Sequence, residues 1–165
     1  MAIDDRSKIT RIAAEIREEL KKLDWLYAEW RGVDTDLETS SLILRGKGSI
    51  FHDFYCGVER IFRRIADDLN GGIPAGDSWH RDLLVDMKLD LPGLRPAVIT
   101  EETFRVLADF LDFRHKFRNI YGFELDFEKL KVIEEKFSPA FEKIKTDIST
   151  FLRFLDNFSA LPSPR

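Results

Sequence analysis

Cysteine is almost missing. Cys56 stands alone, so no internal disulfide can form and no CxxC pair is available to clamp zinc. Long apolar runs are missing too: no segment approaches the roughly 20 apolar residues that cross a bilayer. The first ten residues, MAIDDRSKIT, lack the hydrophobic stretch that directs secretion. A reducing, cytoplasmic setting away from membranes is therefore expected. Strict apolar–polar alternation is absent, which leaves no strand pattern. Nor is there an excess of positive charge. The 26 Lys and Arg against 30 Asp and Glu give a net charge of −4. That argues against a surface built for non-specific nucleic-acid binding, yet leaves room for one local basic site. His52, His80 and His115 come from three segments without HExxH or comparable spacing, so separate structural roles are expected and no metal. RGKGS at 45–49 lacks phosphate-loop spacing, and no strand precedes it.

What is present reads as helix throughout. With 165 residues, 44 % of them apolar, the chain has the length of one domain, 1–165, and enough apolar material for a core. Ile9, Ile12, Ala13, Ile16, Leu20, Leu23, Tyr27 and Trp30 recur at steps of three and four, marking one apolar stripe on a long first helix that Gly32 closes. Thr35 and Glu38 have capping-box spacing and are expected to open a second helix. That helix loosens at RGKGS and resumes with Phe51, Phe54, Tyr55, Val58, Ile61, Phe62, Ile65 and Leu69. NGGIPAGD (70–77) is a loop, a short helix follows over about 78–89, and LPGLRP breaks it. Thr100 before Glu101 and Glu102 caps another helix, with Val106, Phe110, Phe113, Phe117 and Ile120 on its apolar face and an end near Gly122. Asp126 caps the last region, where Pro139 either starts a fresh helix or makes a kink. The expected architecture is all-α, an up-and-down bundle of four to five helices. Cys56 is expected to be a small buried hydrophobe, and Trp79 and His80 to anchor the short helix. The 14 phenylalanines fall at core spacing and do not form a base-stacking platform.

FRHKFRNIYGFELD (113–126) is the stretch that suggests chemistry. Arg114, His115, Lys116 and Arg118 crowd together with no acid among them. At 100° per residue Arg114, Arg118 and Tyr121 share one ridge, and His115 and Asn119 share the next. Two readings of Arg114 and Arg118 are open. Their stems can cover the core edge while the guanidiniums bond to acids of other helices. Alternatively, spaced i, i+4, they form a fork of donors for a phosphate.

The run from Arg114 to Tyr121 resembles the R-x-x-x-x-H-x-Y signature of HepT toxins, members of the HEPN superfamily of small helical ribonucleases. HDFYCGVERIFRRIA, GDSWHRDLL and RNIYGFELDFEKL extend the resemblance over roughly residues 45–155. It implies a homodimer whose signature helices meet in a composite cleft, acting on RNA without metal or cofactor. Arg114 is then expected to hold the scissile phosphate and offset its growing charge. The family histidine, acid or base toward the 2′-hydroxyl, falls on Asn119. An amide has no proton to exchange near pH 7, so activity is expected to be impaired. His115, one turn earlier on the same ridge, can substitute geometrically. Tyr121 matches the tyrosine to which a partner nucleotidyltransferase, the MNT antitoxin, adds AMP. A non-catalytic helical module that only engages such a nucleotidyltransferase is the alternative.

Overall fold

The computed structural model describes residues 3–33, 40–119 and 125–160. Five helices lie among them: α1 (Ile3–Arg31), α2 (Ser41–Leu69), α3 (Trp79–Met87), α4 (Glu101–Asn119) and α5 (Phe127–Ala160). Among the described residues the only β feature is the single bridge between Leu91 and Arg95. α1 packs on α2 and α5, and α4 packs on the same two helices from the other side. α2 and α5 also touch each other, while short α3 lies against α2 and α4. The architecture is an all-α bundle, and no helix is long and apolar enough to cross a membrane.

The apolar stripes explain this arrangement. Ile9, Ile12, Ala13, Ile16, Leu20 and Leu23 of α1 are buried against the α2 stripe from Ile50 to Ile65. Phe51, Phe54, Phe110 and Phe137 bring α2, α4 and α5 together through edge-to-face rings, with Phe54 and Phe137 at 5.1 Å. Helix ends follow local chemistry. Gly32 donates to the carbonyls of Ala28 and Glu29 and closes α1. Thr100 Oγ1 accepts from the Thr103 amide at 3.2 Å, and Asp126 Oδ1 accepts from the Glu128 amide at 3.0 Å, capping α4 and α5 as expected.

One expectation changes. RGKGS does not loosen α2, which runs unbroken through residues 45–49. Gly48 is there for contact: a Cβ on it would sit 2.7 Å from Cε2 of Phe117. Lys47 is buried and paired with Glu134 at 2.9 Å. The helix begins at Ser41, after Ser40, and the capping pair Thr35 and Glu38 lies outside the described residues. One helix passes through Pro139, so of the two readings the fresh helix start falls away. Gly122, the expected end of the α4 region, also lies outside the described residues.

Candidate functional site

The buried face of α4 is rotated from the one its aromatics suggest. Thr103, Leu107, Phe110, Leu111 and Arg114 are its buried residues, while Val106, Phe113 and Phe117 are half-buried. Arg114 therefore continues the core stripe, at i+7 from Leu107 and i+4 from Phe110, and is only 8 % exposed. It is not the unpaired cation that its neighbours in sequence suggest. Glu59 of α2, itself buried, places Oε1 3.4 Å from Arg114 Nη2, and Arg114 Nε donates to Cys56 Sγ at 3.4 Å. The first of the two readings, an acid supplied by another helix, holds for Arg114. Its Nη1, however, is buried without a hydrogen-bond partner among the described residues.

A second buried arginine shows what a purely structural role looks like. Arg95 donates to Asn70 Oδ1 and to the carbonyls of Leu89, Pro96 and Asp86, all at 2.8–3.1 Å, and so ties the end of α3 to the end of α2. Every nitrogen of that guanidinium is used. Arg114 keeps one in reserve.

Glu59 also binds His80. Its Oε2 lies 2.6 Å from His80 Nδ1, joining α3 to α2. With the carboxylate oxygen as acceptor, Nδ1 is the donor and Nε2 is the ring's other nitrogen. The His80 ring stacks on Trp79 at 3.6 Å and meets the ring of His115 edge-to-face, with centroids 5.4 Å apart. Partial burial of His115, then repulsion from His80 and Arg114, lower its pKa below the ordinary histidine value. Burial, reinforced by Glu59, pushes the hydroxyl of Tyr55 strongly upward, so it stays protonated behind the pair.

Two of the three histidines thus converge, contrary to the expectation of separate roles. No group of potential metal ligands occurs among the described residues. The third, His52, packs on Phe117 with centroids at 5.4 Å and lies within 3.9 Å of Cys56 Sγ. Cys56 is half-buried beside a guanidinium and an imidazole, and so is not the plain core residue expected. Arg118 and Asn119 are exposed, and the Asn119 amide donates to the carbonyl of His115 at 2.8 Å. Tyr121 lies outside the described residues.

The family model described as "HepT-like protein" matches residues 47–155. The chain belongs to the HepT-like family. No curated protein and no solved structure matches it. The matched span takes in most of α2, all of α3 and α4 and most of α5, so every residue of the Glu59–His80–Arg114–His115 cluster belongs to the HepT-like part. It agrees with the resemblance to HepT toxins of the HEPN superfamily carried by residues 114–121.

Glu59 escaped the sequence reading, and His80 was expected only to anchor the short helix, which its bond to Glu59 does. One signal was available for the first: Glu59 stands at i+4 from Tyr55 and three before Phe62, an acid inside a buried stripe. A charge there requires a partner of opposite sign from another helix.

Proposed function

We propose that this chain is a HepT-like toxin domain: a metal-independent endoribonuclease of a toxin–antitoxin pair, weakened because Asn119 occupies the family histidine position. What supports this reading most is Arg114. The signature arginine sits at the centre of a polar cluster within the buried face of its helix, and one of its donors is unspent. Its field strengthens in low-dielectric surroundings, where charge growing on a phosphate is best offset. Arg118, one turn on and exposed, is the arm for a direct phosphate contact. RNA is the substrate class, and two copies of the signature helix build the cleft.

The alternative, a non-catalytic module that engages a nucleotidyltransferase, is favoured by one observation: the Asn119 amide is already bonded to the carbonyl of His115. Restoring the imidazole separates the two. Asn119→His should cleave single-stranded RNA in EDTA at least about a hundredfold faster than the unaltered chain, the lower end of what a general acid or base contributes. If neither form cleaves RNA or arrests growth on expression, the binding-module reading stands instead.

Tyr121 is the proposed target of the nucleotidyltransferase partner. Three residues after Arg118 in the sequence, an AMP phosphate on its hydroxyl would compete with RNA for that guanidinium. Co-expression with the partner and ATP should add AMP mass to the peptide holding Tyr121 and none after Tyr121→Phe.

A further inference from the structure

Cleaving RNA through its own 2′-hydroxyl needs two proton movements. The attacking oxygen must lose a proton and the leaving 5′-oxygen must gain one. Asn119 can do neither, and its amide is spent on its own helix. Beside Arg114, however, two imidazoles from different helices face each other. We propose that His80, held by Glu59, and His115 are the acid–base pair of this site and supply, less efficiently than an imidazole at position 119 would, the proton transfers that Asn119 cannot. The inference rests on the ribonuclease reading above.

The geometry gives each ring its part. Glu59 fixes His80 through Nδ1, so Nε2 is the nitrogen that faces the reaction, and a carboxylate behind an imidazolium stabilises it. His80 is therefore the acid. Stacking on Trp79 restricts rotation of the ring. His115 stands on the exposed side of α4, and its lowered pKa keeps it neutral near pH 7, so it is the base. In the step itself His115 takes the 2′-hydroxyl proton as that oxygen attacks phosphorus. The bond from phosphorus to O5′ breaks, and the Nε2 proton of His80 passes to O5′. The products are a 2′,3′-cyclic phosphate and a free 5′-hydroxyl, and exchange with water resets the two rings. Arg114, next to His115 in the chain and linked to His80 through Glu59, offsets the charge on the five-coordinate phosphorus. Around the pair stand Glu59 from α2, Arg81 from α3, and Asp112 and Arg114 from α4, with Arg81 and Asp112 at 3.8 Å from each other.

The test uses the full chain, a labelled single-stranded RNA oligonucleotide and EDTA, from pH 5 to 9. His80→Asn is the informative variant, because its amide sits near the position of Nδ1 and keeps Glu59 partnered while the reacting nitrogen is lost. Expected are cyclic-phosphate ends from the unaltered chain and a bell-shaped rate profile. His80→Asn should lose about a hundred- to ten-thousandfold in kcat with KM little changed, and His115→Gln a similar amount. Each should remove one limb of the bell, with the limb set by His115 below the ordinary histidine range. Circular dichroism checks that both variants remain helical. Should RNA cleavage, in the unaltered chain or only after Asn119→His, proceed unchanged in rate and profile without His80, the pair is refuted while the ribonuclease reading survives. Should neither chain cleave RNA, that reading falls and takes the pair with it.

Discussion

A single residue decides how this site is understood. Read along the chain, Arg114 is one of several cations in a row, and the ridge calls for an anion from outside. Read in three dimensions, it is a core residue whose charge is met by Glu59. The ambiguity came from the phenylalanines. Val106, Phe110, Phe113 and Phe117 define a plausible face, but Leu107, Phe110, Leu111 and Arg114 define the buried one, a quarter-turn or so away. Periodicity alone cannot choose between two apolar arcs that share Phe110. Contact with α2 chooses. The pair has an energetic consequence: removing one partner of a buried ion pair leaves the other charge stranded, at a cost of about 3–5 kcal/mol. Glu59→Leu should therefore destabilise the fold by that order in urea denaturation, and Glu59→Leu with Arg114→Met should recover most of it. If the double variant were no more stable than the single one, the loss would not come from a stranded guanidinium.

At the level of the element, most of the fold was legible. The stripe of α1, its end at Gly32, the cap at Thr100 and the cap at Asp126 all follow from rules within a few residues of each helix end, and those rules hold here. The misreadings are where a residue serves a neighbouring helix instead of its own. Gly48 looks like a breaker because glycine weakens an isolated helix by about 1 kcal/mol relative to alanine. In the bundle it is the place where α2 admits the Phe117 ring, which is wedged against His52 and Phe113. Gly57 does the same for Leu23 of α1, whose Cδ2 would lie 2.6 Å from an added Cβ. Gly48→Ala thus sets a propensity gain of about 1 kcal/mol against an overpacking cost of about 1–3 kcal/mol. The crowding should win, because the ring is hemmed in on both sides. We expect a net loss of roughly 1 kcal/mol, measured by thermal or urea unfolding. Adding Phe117→Leu should reverse the sign, leaving alanine better than glycine at position 48. A stabilising Gly48→Ala in the unaltered background would show that the ring moves freely.

On the scale of the whole molecule, chemistry and scaffolding are divided between opposite sides of α2. One side carries Cys56 and Glu59 toward α3 and α4, where the arginine and the two histidines gather. The other side packs on α1, which lies outside the span matched by the HepT-like family. α1 is nonetheless part of the same core, with Ile12, Ile16 and Leu23 almost wholly buried and the Tyr27 ring stacked 4.0 Å from Phe141 of α5. Trp30 Nε1 and Lys47 Nζ both reach Glu134, which fastens α1 and α2 to α5. Deleting α1 saves the cost of ordering it but forfeits the burial of its own side chains, and it uncovers apolar faces of α2 and α5 that stay ordered. Exposing even three or four large side chains costs roughly 5–12 kcal/mol at about 1.5–3 kcal/mol each. A domain of this size has only about 5–15 kcal/mol to lose. A chain beginning at Ser40 should therefore fail to melt cooperatively by circular dichroism, and it should aggregate or bind a hydrophobic dye at room temperature. If it instead unfolded in one sharp transition near the melting point of the full chain, the family core would be self-sufficient and α1 an accessory. The expected outcome ties the site to a helix that never touches it: α1 holds α2 in place, and α2 holds Glu59 where His80 and Arg114 need it.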